Sequence, residues 1–214
     1  MGIVQRLSFK DQAFQLRETT VLDATTRILS TRGFDLMTMD EVAAEAGISK
    51  PVLYKHFDSK EKLAVAAMVR LLSGALAVLA EQAAEAGPRA QLEALLAWAV
   101  RLRLAGGMPL LPSTQSHVRG MLTRNLGYVA VAMRLHNRIK KLIKDARKLG
   151  QIQAHLSDDT VAFSFYARTC DPAVDYLRAY AKLSDDAIVE QLVGAYFGGI
   201  GTSGEPPSAP RRKA

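Results

Sequence analysis

The chain is poor in the residues from which most chemistry is built. Of its 214 residues only Cys170 is a cysteine. No disulfide can therefore close within the chain, and the usage fits a reducing compartment. The four histidines, His56, His117, His136 and His155, show no metal-ligand spacing such as HExxH. No glycine-rich phosphate loop occurs, and Cys170 has no base beside it in sequence. Neither catalytic residues, nor metal ligands, nor a cofactor are expected. The N-terminal MGIVQRLSFK lacks the apolar core of a signal peptide. Position 6 is Arg, so Gly2 lacks the hydroxyl residue of a myristoylation motif. No apolar run approaches the roughly 20 residues of a membrane span, so no membrane partner is expected, and a cytoplasmic location is. Aromatics make up only 7% and include a single Trp. β-Branched runs are few while Ala and Leu abound, which points to an all-α protein.

Charge of one sign is also missing where it would be most informative. The net charge of +7 invites a nucleic-acid reading. Yet residues 1–62 hold nine Lys/Arg and nine Asp/Glu, and residues 63–214 hold nineteen against twelve. The N-terminal part is electrically balanced, so any DNA affinity there must come from a few placed groups.

What is present is a dense set of helix signals over residues 38–60, TMDEVAAEAGISKPVLYKHFDSK. Thr38 with Glu41 three residues on makes a capping box. Met39, Val42, Ala43 and Ala46 recur at helical spacing. Gly47 ends that helix by accepting positive φ, and Ile48 plugs the corner. Ser49 caps a second helix with Pro51 in its first turn, where the missing N–H is harmless. Val52, Leu53 and Phe57 are expected to face inward, leaving Lys50, Tyr54, Lys55 and His56 largely outward. Asp58 and Glu61 form a further possible capping box. Two short helices across such a turn can place the second in a DNA major groove. A plain three-helix packing unit is the bland alternative; Ala43, Gly47 and Leu53 favour the helix-turn-helix.

The stretch from Arg32 to Leu63 closely resembles the DNA-binding head of the TetR family of transcriptional regulators. The resemblance rests on Gly33, Phe34, Thr38, Met39, Val42, Ala43, Ala46, Gly47, Ile48, Ser49, Leu53, Tyr54, His56, Phe57, Lys60, Glu61 and Leu63. The departures are Pro51, where such heads commonly have Gly, and Val52, where they commonly have Thr. The resemblance implies a DNA interface from Arg17, Thr38, Ser49, Lys50, Pro51, Val52, Tyr54, Lys55, His56 and Lys60. Val52 offers a methyl surface suited to a thymine methyl. The resemblance further implies a homodimer on a palindromic double-stranded operator, a C-terminal pocket for a small-molecule effector, and release of DNA when it fills. The regulator is expected to be a repressor; a ligand-independent regulator or an activator is the alternative.

Punctuation divides the chain into a flexible arm (1–16), a three-helix head (17–62), a larger helical ligand-binding and dimerisation domain (63–200) and a disordered Gly/Pro/Ser tail (201–214). Within the head, a first helix is expected from about Arg17 to Thr31, with Phe34 and Leu36 packed beneath the helix-turn-helix. Further helices are expected from Ser59 to about Ala86, Pro88 to Ala105, Gln115 to Asn125, Tyr128 to Leu149, Asp158 to Cys170, Pro172 to Ala181 and Asp185 to Gly198. Residues 106–116, with two Gly and two Pro, suit either a pocket rim or an ordinary connector. The helix over 128–149 has one apolar stripe, through Ala146 and Leu149. Opposite lies a basic one of Arg134, Arg138, Lys141, Lys144 and Lys148, readable as a solvated face or a site for an anionic partner. Candidate pocket residues are Trp98, Leu102, Met108, Leu110, His117, Met121, Tyr128, Met133, Phe163 and Tyr166, each with core packing as its alternative. Together they suggest an apolar or aromatic effector. Candidate dimer contacts are Phe163, Ala167, Leu192, Val193, Tyr196 and Phe197, on the last two long helices.

Overall fold

The computed structural model describes residues 9–81, 86–109 and 116–201. All ten elements among them are α-helices: α1 (Phe9–Leu36), α2 (Met39–Glu45), α3 (Lys50–His56), α4 (Lys60–Glu81), α5 (Pro88–Leu104), α6 (Ser116–Thr123), α7 (Leu126–Lys148), α8 (Asp158–Thr169), α9 (Ala173–Ala179) and α10 (Asp185–Ile200). The expected all-α fold is the observed one. The described residues fall into two compact units, one drawn from Met1–Ser73 and Ala105–Ala132, the other from Gly74–Leu104 and Met133–Ala214.

The first unit is larger than a three-helix head. Val118 and Leu122 of α6 join its core with Val21 and Leu29 of α1, Val42 of α2, Leu53 of α3 and Leu63 of α4. Helix α1 begins at Phe9, inside the stretch read from sequence as an arm. Its buried Thr25 and Thr26 donate their hydroxyls to Val21 O and Leu22 O, each at 2.8 Å, so those polar groups enter the core already paired. The helix breaks at Gly33, whose φ of 76° is open to glycine but strained for other residues. Beyond the break Phe34 is buried as expected, but Leu36 is 68% exposed, and Met37 occupies the core instead. The reversal at Gly33 sets which side of the following residues faces in.

Thr38 and Glu41 form the expected reciprocal cap of α2, and Gly47 turns the chain with φ of 66°. The start of α4 differs from expectation. Ser59, not Asp58, accepts the Lys62 N–H, while Asp58 pairs with the Lys62 side chain. Arg70 fastens α4 to α1, pairing with Asp23 at 2.8 Å and donating to Thr19 O at 3.3 Å and Thr26 Oγ1 at 3.1 Å.

Helix α4 also corrects a sequence expectation. Within its 22 residues an 18-residue window reaches a mean hydropathy of 2.1, and by length and composition the helix could cross a membrane. Its buried residues include Leu63, Ala64, Val65 and Ala67, which lie in the core of the first unit. That packing accounts for the apolar composition at its N-terminal end.

The second unit is built around α5, whose Leu92, Leu95, Leu96, Ala99 and Val100 are buried. At Gly74 of α4 an added Cβ would lie 3.2 Å from Trp98 Cζ2, so glycine permits the close approach. Helix α7 buries Leu135, Ile139, Leu142, Ile143 and Ala146. Leu149, the expected end of that stripe, is 63% exposed because the helix stops at Lys148; Ile152 fills the core position. Helices α8 and α10 lie side by side, and the Tyr196 hydroxyl donates to Val161 O at 2.8 Å.

Candidate nucleic-acid interface

Helix α3 is seven residues long and only Leu53 within it is buried. Phe57, its C-cap, is the second anchor at 8% exposure. Lys50, Pro51, Tyr54 and Lys55 are exposed, and Val52 and His56 are half-buried. Ser49 caps the backbone turn without a side-chain hydrogen bond, so its hydroxyl remains available. The helix therefore projects one edge of mixed hydroxyl, apolar, aromatic and cationic groups. Such a set can read base edges and meet phosphates.

The candidate groups differ in how free they are. The Lys50 ammonium sits 2.7 Å from Asp40 Oδ1, and that hydrogen bond raises its pKa. Both side chains are solvent-exposed, so the pair is weak and screened. Thr38 donates its hydroxyl to Glu41 Oε2 at 3.0 Å and accepts from the Glu41 N–H at 3.3 Å, which commits it to the cap. Lys60 is turned inward. Its Nζ lies 4.7 Å from the centre of the Phe34 ring and donates to Phe34 O and Asp35 O, both at 3.4 Å. In that conformation it joins α4 to the end of α1 and is not presented to an outside phosphate. Tyr54 is 44% exposed. Lys55 and Arg17 are exposed and carry no ion pair among the described residues. Arg27 pairs with Glu45, and Arg32 with Glu41, across an open groove floored by Ile28 and Ala44. The electrical balance of the head thus has a structural counterpart: most of its cations have a carboxylate partner.

Sequence reasoning passed over Phe14. It is 48% exposed, and its ring stacks on His56 with centroids 4.2 Å apart and planes 26° apart. His56 Nδ1 is buried without a hydrogen-bond partner. A single Phe on a polar segment gives little periodic signal.

A chain with this head matches the family model described as bacterial regulatory proteins, tetR family, over residues 21–67. Its head, residues 21–67, carries the sequence pattern of that family. It is 44% identical over 54 residues to the HTH-type transcriptional activator FasR of Mycolicibacterium smegmatis, a match covering 25% of each chain. It is 38% identical over 84 residues to the HTH-type transcriptional regulator BetI of Rhizobium meliloti, covering 38% of this chain and 40% of that one. The matched segment thus spans well under half the length of these relatives. They are regulators and not enzymes, in agreement with the sequence reading. The fold extends further. The fatty acid degradation regulator FadR of Bacillus halodurans superposes with a TM-score of 0.66 at 17% identity, over 86% of this chain and 95% of that one. The ketosteroid transcriptional regulator KstR2 of Mycobacterium tuberculosis gives 0.57 at 17%, over 87% and 96%.

The residues proposed from sequence for an effector pocket divide between the two units. Met108, His117, Met121 and Tyr128 belong to the first; Trp98, Leu102, Met133, Phe163 and Tyr166 to the second. Leu110 lies outside the described residues. His117 is exposed, with its ring 5.9 Å from Phe34. Met133 and Phe163 are 52% and 64% exposed, so neither is enclosed by the chain. Tyr166 is half-buried; its hydroxyl is 2.9 Å from His136 Nδ1, and burial pushes its pKa up to about 12.

The candidate dimer contacts also divide. Tyr196 and Phe197 are 7% and 2% exposed. They pack within their own chain, edge-on to one another at 5.0 Å, with Tyr196 also edge-on to Phe165 at 6.0 Å. As contacts for a second copy they are corrected to internal core. The wide apolar face of α10 had left this unresolved in sequence. Phe163 and Ala167 remain exposed on α8, and Leu192 and Val193 are half-buried on α10.

Proposed function

We propose that this chain is a ligand-responsive transcriptional repressor that binds a palindromic operator as a homodimer. The observation that carries the reading is α3: a short helix with one buried residue, presenting Ser49, Pro51, Tyr54 and Lys55 from a head that matches the family. Val52 contributes an apolar edge, and Arg17 and Lys55 are exposed cations that carry no ion pair among the described residues. One such helix touches too little DNA for useful specificity. A two-fold dimer doubles the contact and sets half-sites about 34–36 Å apart, or a multiple of that spacing. Phe163 and Ala167 of α8, with Leu192 and Val193 of α10, supply the surface for the second copy. The exposed Gly194 and Gly198 leave room for close approach.

The effector would be small and apolar or aromatic; the candidate contacts are Trp98, Leu102 and Tyr166 within the second unit and, separately, Met108, Met121 and Tyr128 within the first. FadR and KstR2 carry fatty acid degradation and ketosteroid in their descriptions; those words support an apolar ligand here only by analogy of fold. Such a ligand must bind the DNA-free conformation more tightly than the DNA-bound one. A protein that works on bacterial operators works in the cytoplasm.

Activation is the second reading, favoured by the similarity to FasR, which is named an activator. Genome-wide mapping of bound DNA, followed by transcript levels with and without the protein, tests both. Recovery of a two-fold motif with derepression on loss supports the proposal. Enrichment of no sequence would refute it, and a fall in transcripts on loss would select activation.

A further inference from the structure

Recognition helix α3 is under-anchored for its task. Leu53 is its single buried residue, its N-cap serine makes no side-chain hydrogen bond, and its other firm attachment, Phe57, lies at the C-terminal end. These two buried anchors, one mid-helix and one at the cap, are joined only by half-buried Val52 and the solvent-exposed Lys50–Asp40 pair, which leaves rotation about the helix axis weakly opposed. A further contact exists on the flank. Phe14, from the N-terminal turns of α1, stacks on His56 at 4.2 Å. His56 follows Lys55 directly and lies two residues beyond Tyr54, so whatever fixes its ring limits how those side chains are turned. His56 Nδ1 is buried without a hydrogen-bond partner.

Resting on the DNA-binding reading above, we propose that Phe14 is a positioning residue of the recognition helix. It contacts no base itself. By stacking on His56 it holds α3 in the rotation that presents Tyr54 and Lys55 to the groove. The segment before Arg17 is in this account a brace on the reading head. Offset or stacked ring pairs contribute modestly in isolation, and their loss corresponds to about a three- to tenfold change in an equilibrium constant. Because a rotated helix misplaces base contacts more than phosphate contacts, the loss should fall on specificity.

The test uses the full chain and a DNA duplex selected by the wild-type protein from a random library. Phe14→Ala and Phe14→Trp are compared by fluorescence anisotropy on that duplex and on a scrambled one. Expected for Phe14→Ala is about a three- to tenfold loss on the selected duplex, little change on the scrambled one, and rescue by Phe14→Trp. In the free protein, the His56 ring protons should lose their ring-current shift in Phe14→Ala and regain one in Phe14→Trp, without DNA. Equal loss on both duplexes, or wild-type behaviour of Phe14→Ala, overturns the positioning role while leaving the DNA-binding reading standing. A wild-type protein that selects no sequence overturns both. An unchanged His56 spectrum in Phe14→Ala refutes the stack itself, independently of any DNA.

Discussion

Lys55 and Lys60 lie five residues apart, and both are expected from sequence to touch DNA. The structure separates them, and salt titration can show it. Lys55 is exposed and carries no ion pair among the described residues. Lys60 lies over Phe34 at 4.7 Å and donates to two carbonyls at 3.4 Å. Each phosphate neutralised by a protein cation contributes about 0.9 to the slope of log K against log salt. Replacing Lys55 with Met should therefore flatten that slope by about 0.9 per head if it meets one phosphate, with little change in melting temperature. Replacing Lys60 with Met should leave the slope intact and lower stability. The cation–ring contact is worth about 0.5–1 kcal/mol when partly exposed, and its two hydrogen bonds are long. A loss of about 1 kcal/mol in a chain of this size shifts the melting temperature by roughly 2–4 °C. The assay is anisotropy on a selected duplex over a range of salt, paired with thermal melting. A Lys60→Met protein that melts like wild type but has a flattened salt slope would refute the inward placement of Lys60.

The remaining expectations are brief. Gly47→Ala should destabilise the protein by about 1–2 kcal/mol, because φ of 66° is strained for any side chain even though nothing lies within 4 Å of its Cβ; chemical denaturation measures this, and an unchanged midpoint would count against the turn geometry. Tyr166 ionises near pH 12, above an ordinary phenol near 10. Its folded pKa is the raised one, so the stability linked to it is fully present below pH ~10 and is lost as pH climbs from there towards 12; absorbance titration should show one late-ionising tyrosine disappear in Tyr166→Phe. Phe163→Glu places a charge on the exposed face of α8 without disturbing the buried Tyr196 and Phe197; sedimentation should show monomer with a native circular dichroism spectrum, and a persistent dimer would move the interface elsewhere.

Much of the head was legible in the residues because its signals are local. The Thr38–Glu41 cap, the Gly47 turn and the inward Leu53 each follow from bonding or backbone rules acting within a few positions, and each stands where expected. The helix count along the rest of the chain follows similarly from periodicity and breakers. What the sequence left open concerns faces and distant partners. Leu36 and Met37 are neighbours of equal apolar character, and only the reversal at Gly33 decides that Met37 is buried. The stripes of α10 cannot by themselves distinguish core from interface; Phe165 and Val161 of α8, packed against Tyr196, settle it for that residue. Lys60 reads as a surface cation until Phe34, 26 positions earlier, is placed beneath it. Phe14 and His56, 42 positions apart, meet for the same reason. Short-range chemistry written in consecutive residues determined which helices form and where the turn falls. Which side chains are free to act was decided by contacts between segments far apart in the chain, and no local rule encodes those.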